Sequence, residues 1–129
     1  MAKKKNKPII IVVDMAPPTV NHMWLKRGGT GGRFLSKEAR VYIQIAALAI
    51  QRQRMPQDWP FCAVDIVVEP IRRQGDVDNR IKAVLDAFTK AGFWEDDKIV
   101  AEVSCKFGKV CKPHGRTIVT ISPREKKFY

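Results

Sequence analysis

The order in which strand-like and helix-like hydrophobic patterns follow one another limits the folds open to this chain. Apolar or alternating runs typical of strands occupy residues 9–13, 61–69, 99–107 and 116–122. Patterns typical of amphipathic helices occupy residues 36–54 and 77–91. The order β-α-β-α-β-β predicts an α+β domain, with a mixed four-stranded sheet and both helices packed on one face.

Both predicted helices have recognisable ends. Ser36 is a good N-cap, with Glu38 in the first turn. We expect this helix to end near Arg54, because Pro56 cannot continue it. Gly92 follows the second helix and is expected to adopt the left-handed conformation that terminates helices.

Charge and length indicate one basic domain. The 129 residues carry a net charge of +11, which is typical of a nucleic-acid binder but is shared by other small basic proteins. We predict a flexible basic tail over residues 1–7 and a single domain over residues 8–129. The odd number of cysteines, three, and the absence of a secretory signal or of a ~20-residue apolar span favour a reduced, cytoplasmic protein outside the membrane.

Acidic residues are concentrated in one short segment of this basic chain. Six of the thirteen lie within 22 residues: Asp76, Asp78, Asp86, Glu95, Asp96 and Asp97. Crowded carboxylates repel one another, but a divalent cation reverses this cost because hard cations take carboxylate oxygens as ligands. The segment therefore predicts Mg²⁺-dependent chemistry on a polyanion, for which nucleic acid is the leading candidate.

Each of these acids also has a structural interpretation. Asp76 could cap the second helix, and Asp78 could form an ion pair with Lys82 one turn later. The Asp96–Asp97 pair could simply belong to a turn. Taken singly, each acid is better explained by structure, whereas their joint occurrence favours a site.

Chain geometry places a condition on any site that Asp97 shares with the other acids. The second helix would span ~22 Å, whereas the link from Gly92 to Asp97 covers at most ~18 Å. Asp97 can therefore meet Asp76 and Asp78 only if the last strands lie alongside the helix.

Two motifs carry a family resemblance. One reads Asp76-x-Asp78-Asn79-x-x-Lys82-x-x-x-Asp86 and continues as Gly92-Phe93-Trp94-x-Asp96-Asp97; the other is Pro17-Pro18-Thr19-Val20-Asn21. They resemble the RusA family of Holliday junction resolvases, small endodeoxyribonucleases of bacteria and their phages, in which the second motif reads Pro-Pro-Ser-x-Asn. The match covers most of the chain in order, and the 76–97 block is highly specific.

The resemblance implies roles for individual residues. Asp76, Asp78 and Asp97 would bind the metal and act in catalysis, with Lys82 as a catalytic lysine. The predicted metal is Mg²⁺, with Mn²⁺ as an alternative. Supporting roles are predicted for Asn79, Asp86 and Asp96. Predicted DNA contacts are Asn21, Lys26, Arg27, Arg33, Arg72 and Arg73.

The resemblance therefore implies an endodeoxyribonuclease that resolves Holliday junctions by paired symmetric nicks in DNA recombination and repair. The resemblance also implies a homodimer, because a four-way junction needs two opposed cuts. Apolar residues on the first helix offer a candidate interface: Val41, Ile45, Leu48 and Ala49. Two other functions stay open, a non-catalytic basic nucleic-acid-binding protein and a flap or branched-DNA nuclease on the same scaffold.

Two further segments have two interpretations each. The Gly28–Gly32 loop lacks the Gly-Lys-Ser/Thr ending of a nucleotide-binding loop, so no nucleotide cofactor is expected. It is either a flap that contacts DNA or a solvated connector. Phe93 and Trp94 could stack on bases or form the hydrophobic cap of the helix end.

Overall fold

The computed structural model describes residues 7–19, 24–26, 33–72, 75 and 77–125. Within these ranges the strands are β1 (Ile9–Val13), β2 (Trp24–Lys26), β3 (Arg33–Leu35), β4 (Phe61–Glu69), β5 (Val100–Phe107) and β6 (Arg116–Arg124). The α-helices are α1 (Lys37–Ile50) and α2 (Ile81–Lys90), and 3₁₀ turns at Val77–Arg80 and Asp97–Ile99 flank α2. In the part of the chain so described, no helix is long and apolar enough to cross a membrane.

Four strands form one mixed sheet in the order β1-β6-β4-β5. β6 is antiparallel to both of its neighbours, whereas β4 and β5 are parallel. A parallel pair needs a crossover connection, which α2 supplies. The predicted α+β architecture is confirmed. β2 and β3 add a small antiparallel pair that the sequence did not predict, because three residues are too few to show a period.

The hydrophobic core lies between the helices and one face of the sheet. Alternate residues of β1, β4 and β6 are buried there together with side chains of α1 and α2. Its fully buried members include Val13, Tyr42, Val64, Ile66, Val84, Phe88, Val119 and Ile121. The opposite face is more open, and Ile10 and Val12 of β1 are 65% and 43% exposed. The sheet therefore has one covered and one uncovered face.

Only the N-terminal end of α1 lies where the sequence predicted it. Ser36 is the N-cap, as predicted: its hydroxyl oxygen accepts a hydrogen bond from the backbone N–H three residues on, at 3.1 Å. The helix stops at Ile50 instead of near Arg54, because Gln51 and Arg52 have φ of 53° and 62°. These left-handed residues end the helical hydrogen bonding before Pro56 can do so.

The C-terminal end of α2 is closed by a Schellman motif. Gly92 has a φ of 83°, and its N–H donates to the carbonyl of Thr89. The N–H of Phe93 donates to the carbonyl of Phe88, which is the second hydrogen bond of this motif. The left-handed Gly92 predicted from the sequence is confirmed, although the segment 77–91 is divided into a 3₁₀ turn and α2.

Aromatic side chains reinforce this helix end. The rings of Phe88 and Phe93 meet edge to face, with centroids 5.3 Å apart. Trp94 packs against both rings, and its indole N–H donates to the hydroxyl of Thr89 at 2.7 Å. Phe93 and Trp94 are only 1% and 4% exposed, so they form the hydrophobic cap and do not present their faces to bases.

Phe93→Ala should destabilise the protein strongly. Removal of a fully buried aromatic ring leaves a cavity, and such changes cost about 3–5 kcal/mol. Urea unfolding followed by circular dichroism measures this loss. Leu48→Ala is the matched control, because Leu48 is 74% exposed and its change should stay within about 0.5 kcal/mol. Equal effects of the two changes would contradict the packed aromatic cap.

Candidate active site

The first group of predicted site residues lies where the 3₁₀ turn continues into α2. Asp78 in this turn is exposed, Asn79 is half-buried, and Lys82 is exposed in the first turn of α2. The turn packs on β5, where the Cys105 thiol donates a hydrogen bond to the carbonyl of Val77, with 3.6 Å between sulfur and oxygen. This contact fixes the 3₁₀ turn Val77–Arg80 to the edge of the sheet. Because it contains Asp78, this turn is called the acid-bearing turn below.

Protonation of the Cys105 thiol keeps that hydrogen bond in place. Burial and, to a smaller extent, the nearby carboxylate of Asp65 together raise the pKa of Cys105 to about 11. The thiol is therefore protonated near neutral pH and remains a donor.

Lys82 and Asp86 form an exposed ion pair on α2. Their nitrogen and oxygen atoms are 3.5 Å apart, and the side chains are 58% and 20% exposed. An exposed pair at this spacing on a helix stabilises the fold by only about 0.3–0.5 kcal/mol. The ammonium of Lys82 can therefore leave Asp86 for a phosphate at little cost.

The second group of predicted site residues lies beyond the other end of α2. Asp97 begins a 3₁₀ turn and is half-buried. Asp96 is the N-cap of that turn, and its carboxylate accepts a hydrogen bond from the Lys98 N–H at 3.0 Å. Asp96 thus has a capping role, which leaves Asp97 as the acid of this group that is available for chemistry.

Asp78 and Asp97 are separated by the whole length of α2. The helix has ten residues and is about 15 Å long at 1.5 Å per residue. β5 does run alongside it, as a shared site requires, but β5 begins next to Asp97, and the Asp78 turn is hydrogen-bonded to Cys105, five residues further along this strand. Because Mg²⁺ holds its oxygen ligands at about 2 Å, a separation of one helix length argues against one ion shared by these two carboxylates within a single chain.

The remaining predicted residues are described in part. Arg72 is exposed in the loop after β4, and Lys26 and Arg33 are paired in register across β2 and β3. Outside the described residues lie Asn21, Arg27, Arg73, Asp76, the Gly28–Gly32 loop and the tail except Lys7. No group of three His, Cys, Asp or Glu residues that could hold a metal occurs among the described residues, so the metal role of the acids stays a prediction.

Arg80 is a residue at the Asp78 end that sequence reasoning missed. It is 8% exposed, and its Nη1 donates a hydrogen bond to the carbonyl of Pro17 at 2.6 Å. It thereby ties the Pro17-Pro18 segment to the acid-bearing turn. The available signal was spacing, because a position three after Val77 and four before Val84 lies on the core-facing stripe of a helix.

The buried guanidinium of Arg80 is incompletely satisfied. Its Nε is buried and has no hydrogen-bond partner among the described residues. Burial lowers the pKa of Arg80 from its ordinary value, while the carboxylate of Glu38 acts in the opposite direction. An arginine nevertheless keeps its charge in proteins, so a cation is held below the surface beside Asp78.

Comparison with known proteins identifies the family of this chain. The family described as "Endodeoxyribonuclease RusA" matches residues 14–122. The chain belongs to the RusA family. Proteins named crossover junction endodeoxyribonuclease RusA from Escherichia coli (strain K12) and from Enterobacteria phage 82 are each 36% identical to this RusA-family chain over 89 residues, which cover 67% of the chain and 72% of the relative. The protein of that name from Shigella sonnei (strain Ss046) is 35% identical over the same shares.

Proposed function

We propose that this RusA-family protein is a Mg²⁺-dependent endodeoxyribonuclease that resolves four-way DNA junctions by paired symmetric nicks in recombination and repair. The relatives described above are named crossover junction endodeoxyribonucleases. The observation that carries the proposal is the exposed carboxylate of Asp78 one helical turn from the loosely held ammonium of Lys82. Both belong to a protein whose net charge of +11 suits a polyanionic substrate.

The donor set suits a hard divalent cation. Within the described residues, the carboxylates of Asp78 and Asp97 form no ion pair and no side-chain hydrogen bond, so their oxygens are available as ligands. Asp76, Asp78 and Asp97 would hold Mg²⁺ or Mn²⁺. The bound ion would supply hydroxide near neutral pH and neutralise charge on the phosphate.

Lys82 would act on the same phosphate as a point charge. Its ammonium rests 3.5 Å from Asp86 and would move to a phosphate oxygen when DNA binds. A cation that contacts the developing negative charge stabilises the transition state more than the bound substrate. Asp86 would serve as the resting partner that positions Lys82, and Asn79 would orient a neighbouring carboxylate.

Two chains are needed for each complete site. Asp78 and Asp97 lie at opposite ends of α2, so a two-fold axis across the middle of the helix brings the Asp97 end of one copy to the Asp78 end of the other. The same operation creates a second, equivalent site. Two symmetric sites match the two opposed cuts that a four-way junction requires.

The outer edge of β5 is the interface that this arrangement favours. Among the described strands, β5 pairs only with β4, and Val103 in its middle is 42% exposed. Antiparallel pairing of two β5 strands about Val103 would place Ala101 opposite the partner subunit's Cys105. The start of each β5 would then lie near the acid-bearing turn of the other chain, and the β5 edge of each sheet would no longer be open.

The interface proposed on α1 from the sequence has less support. Ile45 and Ala49 pack against the hydrophobic core, and Val41 is half-buried. Only Leu48 is strongly exposed, at 74%. A single exposed leucine does not make an apolar patch of the size expected for an interface.

Cysteine cross-linking distinguishes the candidate interfaces. Val103→Cys, Leu48→Cys and Ile10→Cys each place a thiol at an exposed apolar position, on β5, α1 and the open sheet face respectively. Under mild oxidation, only Val103→Cys should give a disulfide-linked dimer above the background of the unmodified protein. Efficient dimer formation by Leu48→Cys or Ile10→Cys alone would move the interface to α1 or to the sheet face.

Incubation with a mobile four-way junction tests the proposed function. Nicks on opposed strands should form with Mg²⁺ and be absent when a chelator is added. Linear duplex and flap substrates of equal length serve as controls. Binding without nicking under both Mg²⁺ and Mn²⁺ would favour the non-catalytic alternative, and preferred cleavage of the flap would favour the other nuclease class.

A further inference from the structure

A cavity of about 330 Å³ opens beside the Asp78 end of the candidate site. It lies between the segment after β1, the first turn of α1 and the loop after β4. The lining residues that matter here are Pro17, Thr19, Glu38, Arg72 and Arg80. Two guanidinium groups and one carboxylate face this space, so its walls carry an excess of positive charge.

Arg80 has donor capacity that the described residues do not use. Its guanidinium carries five N–H donors, one of which bonds to the Pro17 carbonyl, while the buried Nε has no partner there. A buried ionised group is normally paired with an opposite charge. Within the described part of the chain, however, Arg80 forms no ion pair, although Glu38 lines the same cavity.

We propose that this cavity binds a backbone phosphate of the cleaved DNA strand, held by Arg80 and Arg72. The inference rests on the proposed nuclease function and adds a subsite to it. Arg80 and Asp78 share one 3₁₀ turn, so a phosphate in the cavity lies beside the phosphate that reacts. The planar fork of an arginine matches the oxygens of a phosphate, and the phosphate supplies the acceptor that Nε lacks.

The salt dependence of junction binding reports how many phosphates the protein contacts, so it tests whether Arg80 contacts one. Arg80→Met should weaken binding at least about tenfold at low salt, as expected for a lost charge-assisted hydrogen bond. It should also reduce the log–log slope of affinity against salt by about 0.9, the value for one phosphate contact. Arg124→Met is the matched control, because Arg124 already donates to Glu102 at 2.7 Å and its loss should leave the slope unchanged.

Thermal unfolding separates a binding role from a structural one. Arg80→Met loses the hydrogen bond to Pro17 but also removes a buried cation for which the described residues supply no ion pair, so the Tm should change little even though DNA binding weakens. A lower Tm together with an unchanged salt slope would show that Arg80 only holds the Pro17-Pro18 segment in place, which overturns the proposal.

A direct probe is the ¹⁵N–¹H resonance of the Arg80 Nε, assigned by its loss in Arg80→Lys. Millimolar inorganic phosphate, and separately the four-way junction, should shift this resonance. A wild-type protein that binds the junction without any shift would overturn the phosphate subsite and leave the proposed function intact. A wild-type protein that binds no junction would instead remove the proposed function itself.

Discussion

A mixture of Asp78→Asn and Asp97→Asn subunits should nick four-way junctions, although each variant alone should be inactive. If each site combines Asp78 of one chain with Asp97 of the other, a mixed dimer has one site with both changes and one site with neither. Random pairing of equal amounts makes half of the dimers mixed, so about a quarter of all sites should be intact. The rate of single-strand nicking should therefore recover to about a quarter of the wild-type rate, while paired cuts stay rare.

Each variant alone should lose at least about 100-fold in rate, because a catalytic metal contributes several kcal/mol to the transition state. Junction binding should persist, since each change removes a negative charge from a basic protein. A mixture of Asp78→Asn and Lys82→Ala is the control: both changes lie at the same end of α2, so neither site of a mixed dimer is intact. Absence of rescue in the first mixture, with dimers present, would contradict a site shared between two chains.

Lys82→Ala should lower kcat by about 100-fold or more and leave junction affinity within about threefold. The ion pair with Asp86 is exposed and spans 3.5 Å, so its loss should cost no more than about 0.5 kcal/mol of stability. Single-turnover cleavage measures the first effect, and gel-shift titration and thermal unfolding measure the others.

Asp86→Asn separates a catalytic lysine from a structural ion pair. This change also breaks the pair, but it leaves the ammonium of Lys82 in place. If the ion pair itself mattered, the two variants would have equal activity. A large loss of kcat in Lys82→Ala alone assigns the ammonium to the reaction, whereas full activity with a lower Tm would leave Lys82 a structural residue.

Local chemistry explains which parts of the fold were predictable. The bounds of β1 and β4 agree with the sequence because their apolar runs end at charged or proline-containing loops. The cap at Ser36 and the left-handed Gly92 follow from side-chain chemistry and backbone freedom. The end of α1 at Ile50 could not be predicted in this way, because Gln51 and Arg52 have no intrinsic preference for the left-handed conformation that they adopt.

The candidate site was predictable in its residue types but not in its assembly. Motif spacing indicated Asp78, Lys82 and Asp97, yet distance along a chain gives only an upper limit on distance in space. The parallel pairing of β4 and β5 decides that β5 starts at the far end of α2, and this pairing joins segments remote in sequence. Arg80 was missed for a similar reason, since its hydrogen-bond partner Pro17 lies 63 residues earlier.

In the proposed dimer, the ten-residue length of α2 would determine the distance between the two active sites. Each helix has Asp78 of one site at its start and Asp97 of the other site beyond its end, so its length sets the spacing between the two cuts. One added helical turn would separate the cutting centres by about 5.4 Å more. The length of a helix is usually determined by packing alone. In this dimer it would also be matched to the spacing of the exchanging strands in the DNA.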